Sequence, residues 1–79
     1  MEQMNPRKIP FRKLRVAILD RGYFAKDIAN AIHISEAAMS ARLNGKTPWT
    51  LREIYEVCDA LNIRYEDIQK FFPKEDATA

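Results

Sequence analysis

The segment from Phe24 to Lys46 constrains the fold most, because its apolar residues fall into two short helical sets separated by only a tight turn. Ile28, Ala29 and Ile32 hold one apolar face over the first set. Ile34 anchors the turn, and Met39 and Leu43 continue at i, i+4 spacing over the second set. Two helices that cross steeply over three or four residues need a small side chain where their backbones approach, and Ala29 supplies it. Ser35 stands before the second set as an N-cap, and Gly45 follows it as a residue free to adopt the left-handed conformation. The spacing predicts helices over roughly 24–32 and 36–44.

The flanks add three helices. Pro10 suits a first helical turn, where its missing N–H costs nothing, and the helix it opens runs to about Arg21 before Gly22. Its buried stripe is Phe11, Leu14, Ala17 and Ile18, with Arg12, Lys13 and Arg15 on wet faces. Thr50 and Glu53 form a capping box, and Trp49 can fold back on Ile54 as a hydrophobic staple. The helix that follows extends from Leu51 to about Leu61, burying Leu51, Ile54, Val57 or Cys58, and Leu61. Asn62 is its left-handed end, and Ile63 with Ile68 staples a short fifth helix that reaches Phe71 or Phe72 and stops at Pro73. The expected fold is all-α, with five helices over residues 9–72, a flexible arm over 1–8 and a disordered tail over 73–79.

Composition narrows the function classes. A chain of 79 residues suffices for one small domain. It has no apolar run of membrane-spanning length and no charged-then-apolar leader, so a cytoplasmic protein without a membrane partner is expected. The single Cys58 has no partner for an internal disulfide, in keeping with a reducing compartment. No nucleophile–base pair, carboxylate pair, metal-ligand cluster or phosphate-cradling glycine loop is present. The chain is therefore read as a binding protein and not an enzyme, with no cofactor, metal or small-molecule substrate. His33 reads as a turn residue. Net charge is only +2 but unevenly spread, with seven basic and two acidic groups in residues 1–26 against three and seven in 53–79.

Taken in order, Leu14 with Ala17 and Ile18, Gly22-Tyr23, Asp27-Ile28-Ala29, Ile34-Ser35 and Leu43-Asn44-Gly45-Lys46 resemble the phage-repressor-type helix-turn-helix domain. That is the Cro and lambda-repressor-like group, also called the xenobiotic-response-element family, and the resemblance covers Leu14 to Leu61. It implies a sequence-specific DNA-binding regulator, repressor or Cro-like and of phage or mobile-element type, that lays its third helix in the major groove of double-stranded DNA. The chain departs from the pattern at several places. Phe24 stands at a usual Ser/Thr cap, Ala25 at a phosphate-binding Gln, His33 at a turn Gly, Arg42 at an apolar position and Arg64 at the cap before the fifth helix.

Helical spacing puts Glu36, Ala37, Ser40 and Ala41 opposite Met39 and Leu43, so these four, with the cap Ser35, are the expected base-facing set. The resemblance implies phosphate contacts from Lys26, Arg42, Asn44, Gly45, Lys46 and Thr47, including the main-chain N–H groups of Gly45 and Lys46. Arg7, Lys8 and Arg12 would extend the grip from the arm and first helix. Such proteins bind as two-fold dimers. A weak or DNA-assisted homodimer is expected here, with Phe71 and Phe72 as its contact. The alanine-rich third helix also suits a second reading, a protein-binding module such as an antirepressor or regulator partner that keeps the same fold.

Overall fold

Five helices form where the apolar periodicity places them: α1 (Arg12–Asp20), α2 (Ala25–Ala31), α3 (Glu36–Leu43), α4 (Leu51–Leu61) and α5 (Ile68–Phe71). A 3-10 turn over Tyr65–Asp67 leads into α5. The computed structural model describes residues 9–76, and these contain no strand. The expected arm over 1–8, with Arg7 and Lys8, and the end of the tail over 77–79 lie outside the described residues.

The first four helices all end by the same device. Gly22, His33, Gly45 and Asn62 each take a positive φ, of 85°, 63°, 76° and 61°. In each case the residue after it donates its N–H back five positions: Tyr23 to Ile18, Ile34 to Ala29, Lys46 to Ala41 and Ile63 to Cys58, at 2.8–3.0 Å. This is the Schellman arrangement, which uses carbonyls that a helix end would otherwise leave unpaired. The connections stay short because each helix turns its chain within a few residues.

The core draws Phe11 from just before α1, Leu14 and Ile18 from α1, Ile28 and Ala29 from α2, Met39 and Leu43 from α3, and Val57, Cys58 and Leu61 from α4. Burial pushes the Cys58 thiol above its ordinary value, and the nearby Asp59 carboxylate adds to the effect, so the side chain packs as a small neutral group. At one end Phe11, Trp49 and Phe72 form an aromatic trio, with ring centroids 5.3 Å apart for Trp49–Phe72 and 6.2 Å for Phe11–Trp49. The trio explains two departures from expectation. Trp49, not Leu51, closes that end of the core, leaving Leu51 exposed on the first turn of α4. Phe72 is a core residue, which leaves Phe71 as the more outward member of the pair.

Two further corrections concern the termini. Pro10 precedes α1 instead of opening it, because Phe11 adopts the left-handed region at φ 52°, ψ 40° and the helix begins at Arg12. That conformation is unfavourable for a bulky residue. It is held by burial of the ring and by the Phe11 N–H, which donates to Asp76 Oδ2 at 3.0 Å. The tail is accordingly ordered through Asp76: Lys74–Asp76 form a 3-10 turn whose Asp76 carbonyl lies against Gly45, 3.3 Å from where a Cβ would stand.

The capping box forms as expected. Glu53 N–H donates to Thr50 Oγ1 at 3.1 Å, and Thr50 N–H donates to Glu53 Oε1 at 3.0 Å. Thr50→Ala removes the acceptor for one of these donors and should cost about 0.5–2 kcal/mol. Chemical denaturation checks it: an unshifted midpoint would show that the box adds nothing. At α2 only half a box exists, because Phe24 has no side-chain acceptor; its N–H donates to Asp27 Oδ2 at 2.7 Å.

Candidate nucleic-acid interface

Setting Met39 and Leu43 into the core fixes the rotation of α3 about its axis, and at 100° per residue Glu36, Ala37 and Ser40 are then turned to solvent. Ser35 is exposed as well, and its Oγ accepts the Ala38 N–H at 3.0 Å, so the N-terminal end of α3 starts from a fixed cap. Ala41 lies at the margin. It is half-buried, and its carbonyl accepts the N–H groups of both Lys46 and Thr47. The outward strip is therefore Glu36, Ala37, Ser40 and Asn44.

Beside this strip a cleft of about 290 Å³ brings together Lys26 from α2, Glu36, Ser40 and Asn44 from α3 and its end, and Arg15 from α1. Arg15 was expected on a wet face, and the structure corrects this. Its Nε donates to the Pro10 carbonyl at 2.8 Å, and its Nη2 donates to the Leu43 carbonyl at 2.7 Å and to Asn44 Oδ1 at 2.9 Å. A guanidinium at the C-terminus of α3 meets the negative end of the helix dipole and pairs a terminal carbonyl. It also orients Asn44, whose amide nitrogen reaches Ser40 Oγ at 3.4 Å. The sequence carried one signal for this role, the position of Arg15 at the edge of the buried arc of α1, next to Ile18.

The phosphate set divides. Lys26 and Lys46 are exposed and make no ion pair among the described residues, so both ammonium groups are available to an anion. Arg42 is not available. Its Nε and Nη2 donate to the two carboxylate oxygens of Glu53 at 2.8 and 3.0 Å, its Nη1 donates to the Ala38 carbonyl at 3.2 Å, and only 16% of its side chain is exposed. Three of its five N–H donors are thus spent inside the fold, in a bidentate and largely desolvated pair that holds the guanidinium in place. Burial alone would raise the Glu53 carboxyl, but the hydrogen bonds from Arg42 and Thr50, with the guanidinium charge, outweigh it and hold the group below its ordinary value.

Gly45 also loses its expected role. Its N–H donates to the Arg42 carbonyl at 3.1 Å, and the Lys46 and Thr47 N–H groups are used by Ala41, so the turn closes α3 and does not present free amides. Thr47 is half-buried. Arg12 is exposed but lines a separate groove between α1 and α5, alongside the half-buried Phe71. Among the described residues no group of three or more His, Cys, Asp or Glu side chains is placed to hold a metal ion, and no helix is long and apolar enough to cross a membrane.

A family profile described as protein of unknown function (DUF739) matches residues 8–75, nearly the whole chain. No curated protein matches it. The chain belongs to the DUF739 family.

Proposed function

We propose that this DUF739 member is a sequence-specific DNA-binding transcriptional regulator of the phage-repressor type, acting in the cytoplasm with α3 in the major groove. The observation that carries the reading is the strip of α3 formed by Glu36, Ala37, Ser40 and Asn44, exposed along one side, with Lys26 beside it in the cleft and Lys46 two residues beyond Asn44, neither ion-paired among the described residues. A rigid helix of this length fits the major groove, and exposed lysines near it suit contacts to backbone phosphates. Ser40 and Glu36 are the polar base readers, Glu36 as an acceptor for a cytosine amino group, while Ala37 offers contact to a thymine methyl. Arg15 acts through Asn44 as a positioning residue. Regulation would follow from occupying an operator and excluding other proteins from it.

Selection of bound sequences from random double-stranded DNA at two salt concentrations tests the reading. Enrichment of one motif at both salts supports it, and recovery of unselected DNA or none overturns sequence-specific binding. Lys46→Ala removes one phosphate contact and, because the Lys46 N–H stays engaged with Ala41, nothing else. Affinity should fall about equally for all sequences, and the slope of log K against log salt should shrink by roughly 0.9. A loss confined to one sequence would make Lys46 a base reader.

A further inference from the structure

Two exposed patches lie apart from the α3 strip, and their chemistries differ. The first is the groove of about 420 Å³ between α1 and α5, floored by Val16, Ala17 and Phe71 and edged by Arg12 and Lys13. Val16 is 49% exposed. Neither Arg12 nor Lys13 has an ion-pair partner among the described residues, whereas Arg21 at the far edge donates to the Leu61 carbonyl. With Asp20 also on the rim, the groove is an apolar floor carrying a net positive charge.

The second patch is the outer face of α4. Leu51, Tyr55 and Asp59 recur every four residues, and Tyr65 folds back on them, its ring centroid 4.8 Å from that of Tyr55 and its hydroxyl donating to Asp59 Oδ1 at 2.7 Å. Leu51 and Tyr65 are 62% and 52% exposed. The neighbouring Arg52–Glu56 and Arg64–Glu66 pairs cancel, and Asp59 makes no ion pair among the described residues. The patch is thus a close, tilted pair of tyrosines with a carboxylate at its edge.

The geometry points to a contact between two copies of this chain, in which the α1/α5 groove of one takes the Tyr55–Tyr65 pair of the other. The rings would cover Val16 and Phe71. Arg12 and Lys13 would meet π faces and the Asp59 carboxylate, and neither has an ion-pair partner of its own among the described residues. Charge complementarity selects this occupant over a second groove, since two copies of the Arg12–Lys13 edge would repel. The patches are small, so the contact is weak, with Kd on the order of 0.1–1 mM, and weaker again at high salt.

Sedimentation velocity of the full chain without DNA, up to about 1 mM, tests the contact independently of any DNA reading. The wild type should associate, and Val16→Glu and Tyr55→Lys should each remain monomeric while melting cooperatively. Their equimolar mixture should associate again, because the first variant keeps an intact tyrosine pair and the second an intact groove. A wild type that stays monomeric, association that survives either substitution, or a mixture that stays monomeric overturns the proposal.

Discussion

Arg42→Ala should destabilise the domain by about 2–3 kcal/mol, below the roughly 3–5 kcal/mol of a fully buried pair because the two side chains keep 16% and 12% exposure. The change leaves the Glu53 carboxylate largely desolvated with only its Thr50 contacts, and it also frees the Ala38 carbonyl. For a domain of this size the melting temperature should drop by roughly 8–24 °C. Glu53→Gln should cost less, since the amide oxygen still accepts the Thr50 N–H while the charge is lost. The pH dependence carries a definite sign. A carboxyl whose folded value lies below its unfolded value of about 4.5 adds stability above that value and loses it as pH falls through the folded value. Arg42→Ala should therefore flatten the acid side of the stability curve. If Arg42 instead gripped phosphate, the substitution would leave the melting temperature within about 2 °C of wild type and lower DNA affinity alone.

The contrast between Arg42 and the helix ends shows what was legible in the sequence. Gly22, His33, Gly45 and Asn62 declared themselves because a left-handed position is decided by a residue and its immediate neighbours, as is the Thr50–Glu53 box. The buried stripes were legible for the same reason, since periodicity is local. Most of what was missed depends on contacts across the fold, and the clearest cases are polar. Arg42 finds Glu53 eleven residues away, Arg15 finds Leu43 at a separation of 28, and Phe11 finds Asp76 at 65. Which cation pairs internally and which remains for a partner depends on how helices pack, and a single sequence does not display that. Lys26 and Arg42 look equivalent as basic residues on amphipathic helices, yet Arg42 is ion-paired and Lys26 makes no ion pair among the described residues. The Phe71–Phe72 pair shows the same limit among apolar residues, because the aromatic trio takes one and leaves the other at a groove.

The largest functional effect should come from Ala37→Glu. Ala37 is exposed on the outward strip of α3, beside Glu36 and clear of the core, so the substitution leaves packing and the Ser35 cap unaltered. Glutamate is a good helix former, and near the start of α3 it is favoured by the helix dipole. The fold should persist with a melting temperature at or slightly above wild type. Against a duplex the new carboxylate would double the negative charge of the strip, and like-charge juxtaposition in an interface costs several kcal/mol. Specific DNA affinity should fall by about 10²-fold or more, and raising the salt should not restore it. Ala37 is a better probe than Ala41, whose half-buried position confounds binding with stability. The same variant separates the two readings of the alanine-rich helix. If titration shows DNA affinity unchanged while Ala37→Glu loses a protein partner that the wild type captures, α3 is a docking face and the regulator acts through another protein. If DNA affinity collapses while the melt is unchanged, the strip of Glu36, Ala37, Ser40 and Asn44 is the surface that meets the bases.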